Sequence, residues 1–131
     1  MSSAEMIGAT TDFDEWLGTM VSQHGEFTAL VILTEIAEHR VAPLCSTYVH
    51  VIGDEVDWDE IKSMFAGSGQ RWDGAAFFPT KARNGGPIDN LTARQRLAEL
   101  EAKVREDRMA LNDGHFFDSF GRRIEIQPIA P

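Results

Sequence analysis

The sequence predicts an α+β (or α/β) domain: one small mixed sheet of about four strands containing a β-α-β unit, with three or four helices, the longest near residues 91–111. Three observations predict it. Strand formers over 44–52 are followed by an amphipathic stretch, 58–66, and by a second apolar run, 74–79, the order of two strands joined by a helical crossover. Apolar residues recur at helical spacing near the start of the chain and again, as a narrow stripe, over 91–111. The 131 residues, 43% hydrophobic and 25% charged, suit one self-sufficient core and contain no linker that would split it.

Residues 1–10 are small and polar and are expected to fray, leaving 11–131 as the globular domain. Asp12 can cap a helix over 13–23, with Glu15 three residues on and Phe13, Trp16, Leu17, Met20 and Val21 as its apolar face. Gly25 stops it. Residues 27–40 carry two patterns. Thr28, Val31, Ile32, Thr34 and Ile36 are β-branched, yet Phe27, Leu30, Val31, Ile36 and Ala37 share one helical face. The stretch E-I-A-E-H-R lacks turn residues and ends in His39 and Arg40 before Pro43, so the balance favours a helix.

Tyr48, Val49, Val51 and Ile52 mark the strand 44–52, closed by Gly53-Asp54. Asp57 can cap the helix from Trp58, whose stripe is Ile61, Met64 and Phe65. G-A-A-F-F-P, 74–79, is a buried strand, and both strands are expected in one sheet with a right-handed crossover. T-K-A-R-N-G-G-P, 80–87, is a turn-rich loop. Thr92 with Gln95 matches a capping box for the long helix, and Asn112-Asp113-Gly114 ends it. Short strands at 115–117 and 123–127 complete the pattern.

Charge is lopsided. The net charge is −9, but residues 1–60 hold 12 acids against the single base Arg40, whereas 61–131 hold 9 acids and 11 bases. This balance disfavours nucleic acid and anionic membranes as partners. There is no signal-like segment and no apolar run of spanning length, so a cytoplasmic location is expected, with no membrane partner. Cys45, the one cysteine, cannot form an internal disulfide or a cysteine-based zinc site and reads as a buried small side chain.

No catalytic or metal signature is present. His24, His39, His50 and His115 fall in neither an H-E-x-x-H nor an E-x-x-H pattern, so no metal and no cofactor is expected. Glu35 and His39, four apart, suit a solvent-facing pair. His50, mid-strand, shares a face with Tyr48 and Ile52 and is the one weak candidate for acid–base work. Lys81, Arg83, Gly85 and Gly86 precede a helix N-terminus and are candidate anion-binding residues, although Walker and dinucleotide-binding spacings are missing. Trp16 and Trp58 each lie among acids. With Asp57, Asp59 and Glu60 they form candidate interaction residues for a basic partner, the alternative being that both indoles are core. Phe117 or Phe120, at a turn, can line a pocket or an oligomer contact.

Two functions follow as expectations. The first is a non-catalytic protein-interaction or regulatory domain presenting an acidic surface, a subunit or inhibitor of a larger assembly, with a protein partner or self-association. The alternative is a small-molecule binding protein or enzyme whose pocket near His50, Lys81 and Arg83 takes an anionic ligand.

Overall fold

The computed structural model describes residues 10–38, 40–53, 56–69 and 71–126. The expectation for the N-terminal residues falls, Thr10 apart, outside them.

Among these residues eight elements follow in order: α1 (Asp12–His24), β1 (Phe27–Ala37), β2 (Arg40–Val51), α2 (Trp58–Ala66), β3 (Gly74–Thr80), α3 (Asn90–Glu106), a short 3-10 helix (Arg108–Asp113) and β4 (His115–Asp118). The four strands make one antiparallel sheet in the order β2-β1-β3-β4. The domain is α+β, as the sequence predicts. Its sheet carries helices on both faces. Phe27, Ala29, Val31 and Leu33 of β1 pack with Ala75, Phe77 and Phe117 under Phe13, Trp16 and Leu17 of α1 and Trp58, Ile61 and Phe65 of α2. Ile32, Ala76 and Phe116 pack on the other face with Val104 of α3 and with Ala110 and Leu111.

The segment 27–40 is a strand and a turn, which corrects the helical expectation. β1 is the second strand in from the edge and is buried from Phe27 to Thr34. A strand covered on both faces loses polar–apolar alternation and reads as a continuous apolar run, which periodicity cannot separate from a helix. Once β1 exists, the chain reverses sharply: Ala37 pairs with Arg40, and the ladder runs to Phe27 opposite Val51. The strand expected from Leu44 therefore begins at Arg40. The expected pairing of Glu35 with His39 loses its helix, and His39 lies outside the described residues. Leu44 is the extra residue of a bulge, because Leu33 pairs with Cys45 and Thr34 with Pro43. Proline is tolerated there because β2 is an edge strand.

The crossover β2-α2-β3 is present, but its strands are not neighbours. β1 lies between them and runs antiparallel to both, so β2 and β3 share a direction without sharing hydrogen bonds.

Helix ends shift by short distances for identifiable reasons. Thr11, not Asp12, caps α1, and Asp14 closes the box. Asp89, not Thr92, caps α3. The helix expected to 111 stops at Glu106 and continues as the 3-10 turn, which Asp107 caps. Of the expected last strand, 123–127, only Arg123 bridges to Phe117, and Gln127 lies outside the described residues. No described helix is long and apolar enough to cross a membrane.

Candidate functional site

His50 lies on the face of β2 that α3 covers. Its Nδ1 is 2.8 Å from the Thr28 hydroxyl, and its Nε2 is 2.8 Å from Asn90 Oδ1 at the first turn of α3. Thr28 is fully buried, and its oxygen also accepts the Ile88 N–H at 3.1 Å. One assignment satisfies all three contacts: the hydroxyl donates to Nδ1, and Nε2–H donates to Asn90. Both ring nitrogens are then occupied, and the threonine oxygen is out of reach of solvent. This network is a latch between the sheet and the loop leading into α3.

Lys81 points the other way. Thr80 pairs with Thr28 and therefore shares the His50 face, so the next side chain emerges on the opposite one. There the Lys81 ammonium donates to the His24 carbonyl, the last residue of α1, where a cation complements the helix dipole. Arg83 is exposed on the intervening turn. His50 and Lys81 thus lie on opposite faces of the sheet.

The glycine loop is not an open anion cradle either. Gly85 N–H donates to the Ala82 carbonyl and Ala82 N–H to the Gly86 carbonyl, while both glycines adopt positive φ to close the turn. The N-terminus of α3 already holds the Asp89 carboxylate. Its bonds to the Thr92 N–H and hydroxyl keep it below the ordinary aspartate range. A charged carboxylate at that position opposes a second anion.

The two tryptophans are core residues. Trp16 is 8% and Trp58 3% exposed, and both rings pack on Phe13, with centroids at 5.7 and 4.9 Å. Neither is available as a surface anchor, which corrects the expectation for Trp16 and Trp58 in favour of its alternative. Their acidic neighbours are largely explained by helix starts. Asp57 accepts the Glu60 N–H at 2.9 Å, and Asp14 accepts the Trp58 N–H at 2.9 Å, which ties the N-terminus of α1 to that of α2. Carboxylates there pair with orphan amides and with the helix dipoles.

The two acidic stretches thereby become one patch, and the turn after β4 completes it. Trp58 Nε1 donates to the Ser119 carbonyl, Phe13 N–H to the Gly121 carbonyl, and Arg123 N–H to Asp12. Gly121 is required at this junction. Its φ is +79°, and a Cβ there would lie 2.8 Å from the Thr11 side chain. Phe120, on this turn, is 67% exposed, with the Arg122 guanidinium 5.0 Å from its ring centre. Residues 11–15, 57–60 and 118–123 together hold seven acids and two arginines, a local −5. Asp12, Glu15, Asp59 and Glu60 are exposed within it. A shallow hollow of about 470 Å³, lined by Asp12, Glu15, Trp16, Thr19 and Arg123, adjoins the turn.

A buried indole and a half-buried imidazole border this patch. Trp16 Nε1–H has no acceptor. His115 stacks on Trp16 with centroids 4.7 Å apart, and its Nδ1 lies 3.2 Å from Arg123 Nη1. Burial first, and the Arg123 charge second, hold His115 below the ordinary imidazole value. Elsewhere, a cleft of about 140 Å³ between β2 and α3 is lined by Ile32, Pro43, Leu44, Cys45, Ser46 and Glu101, among others. Ser46 donates to Glu101 across it, and burial pushes the Cys45 thiol up, away from the reactive thiolate. Among the described residues, no three His, Cys, Asp or Glu side chains gather as a metal set.

Models of protein families, curated proteins and solved structures return no match to this chain.

Proposed function

We propose that the chain is a non-catalytic protein-interaction domain whose acidic patch binds a basic segment of another protein, as a subunit or inhibitor of a larger assembly. The observation that carries this reading is the position of Phe120. It is the most exposed large aromatic side chain described, and it sits on the turn wedged between two acidic helix starts. An exposed aromatic ring ringed by charge is the usual composition of a binding anchor with a steering rim. The hollow beside it offers the partner a recess. Among the described residues, the remaining polar constellations named above serve as latches and caps within the fold.

The test is titration with lysine- and arginine-rich peptides, followed residue by residue by NMR. Shifts should cluster at 12–19, 57–60 and 118–123. Phe120→Ala should weaken binding by about 2 kcal/mol, close to thirtyfold, as expected for an aromatic anchor. Asp59→Lys with Glu60→Lys, which takes the local charge from −5 to −1, should weaken both binding and its dependence on ionic strength. Shifts scattered over the whole surface, or affinity unchanged in both variants, refute the reading.

A further inference from the structure

We infer that the free edge of β2 is a self-association surface, on which a second copy of this chain pairs antiparallel across a two-fold axis and joins two four-stranded sheets into one. This goes beyond the proposed function and does not require the acidic patch to bind a partner.

An edge strand presents unpaired backbone N–H and C=O groups, and folded chains usually blunt such edges with charges, proline, bulges or a covering segment. Among the described residues, the sheet is blunted in these ways except along one stretch. β4 is four residues long, and Arg123 bridges to its Phe117. The outer end of the β1–β2 hairpin carries Glu35 and Arg40, then Pro43 and the bulge at Leu44. Past the bulge the protection stops. From Val41 to Gly53 there is no Asp, Glu, Lys or Arg, and Cys45–Val51 is a regular run, C-S-T-Y-V-H-V, paired with β1 on one side only. Among the described residues no strand pairs with its outer side. α3 lies over its face rather than along its edge, held there by Ser46–Glu101 and His50–Asn90.

Charge placement selects a second copy as the occupant. Two chains of net −9 repel one another, so a contact between copies must form where little charge is brought together. The acidic patch is anchored by the turn that follows β4, at the opposite edge of the sheet order β2-β1-β3-β4. Pairing through β2 sends the two patches to the far ends of the joined sheet and puts at the junction the seven residues Cys45–Val51 of each copy, none of them Asp, Glu, Lys or Arg. An uncharged strand also meets its own two-fold image without like charges facing each other.

Light scattering or sedimentation of the full chain tests this. The expected mass is twice the 14.6 kDa of the chain. Raising salt from about 0.05 M to about 0.5 M should preserve or strengthen the dimer, because it screens repulsion and leaves the hydrogen-bonded junction intact. Attraction between acidic and basic patches would weaken instead, and a dimer lost on adding salt overturns the inference. Thr47→Lys and Tyr48→Lys, on adjacent positions and therefore opposite faces, should each give a folded monomer. Amide exchange across 45–51 should slow as concentration rises. A monomeric wild type overturns the inference, as does a dimer that survives in both folded variants, or exchange over 45–51 that is fast and independent of concentration. Peptide binding at the acidic patch should persist in both monomeric variants, so a failure there belongs to the functional reading alone.

Discussion

Replacing Thr28 by valine keeps the shape and β-branching of the side chain and removes one oxygen. That oxygen is fully buried, accepts the Ile88 N–H at 3.1 Å and bonds His50 Nδ1 at 2.8 Å. Ile88 is itself 5% exposed, so its N–H loses its acceptor where water does not easily replace it. A buried donor left unpaired costs about 1–3 kcal/mol. The His50 side, half-buried, recovers solvent and adds little. The net expectation is a loss of about 2 kcal/mol, or a urea midpoint lowered by about 1 M for a slope of about 2 kcal/mol per M. Thr34→Val is the internal control on the same strand. Thr34 is equally buried, but its hydroxyl donates to the Gly74 carbonyl at 3.1 Å. Its loss leaves an under-satisfied carbonyl, which is tolerated better than an orphaned N–H. Urea unfolding followed by circular dichroism should therefore rank Thr28→Val well below Thr34→Val at unchanged slope. Equal losses, or a Thr28→Val chain as stable as the parent, would show that the latch does not hold the 81–89 loop to the sheet.

Two further expectations concern the border of the acidic patch. Trp58 Nε1 donates to the Ser119 carbonyl at 3.3 Å, whereas the Trp16 indole N–H has no acceptor. Trp58→Phe should therefore lower the urea midpoint by more than Trp16→Phe, by about 1 kcal/mol in stability, and the reverse order would count against this account. His115 is held below its ordinary pKa of 6.5, first by burial and then by Arg123. A depressed histidine favours the fold in its neutral form. Its contribution is complete above the unfolded value and declines as pH falls below about 6.5, because the unfolded chain then binds the extra proton. Stability should fall on acidification in the parent and fall less in His115→Gln. An imidazole titration by NMR should lie below 6.5, and Arg123→Ala should raise it only in part, since burial is the larger cause.

The fold class was legible because it rests on features that period and capping report directly. The stripe of α1, the Asp57 cap, the stop at Gly25 and the apolar run 74–79 survive in the structure, and so do Ile61 and Phe65 of α2, whereas Met64 of its expected stripe is 51% exposed and Trp58 takes the buried place instead. One segment, 27–40, was not legible, and its consequences spread. If F-T-A-L-V-I-L-T is helical, the strands at 44–52 and 74–79 become neighbours and their ends a shared crevice. As a strand covered on both faces, β1 separates them, and the direction of Lys81 follows from its register. The information that decides the matter is the burial of both faces of β1, and no local pattern in the chain encodes it.

The site shows a different limit. The acids around Trp16 and Trp58 are adjacent in sequence to indoles that point inward, because successive residues of an amphipathic helix leave it in different directions, so exposed acids lie next to a buried stripe. Trp58 also completes the spacing 58, 61, 65, which identifies it as part of the buried stripe. Phe120 has the opposite setting. It follows Asp118, whose carboxylate accepts the Phe120 and Arg122 N–H groups, and it precedes a glycine that only a tight turn requires. A side chain on such a turn has no neighbouring layer to enter. The proposed aromatic anchor thus comes not from among the acids of the first half but from a later turn, whose backbone is tied to the two acidic helix starts by three hydrogen bonds. If peptide binding is lost in Phe120→Ala but persists when Asp59 and Glu60 are reversed, the turn is the site and the acids serve only the helices.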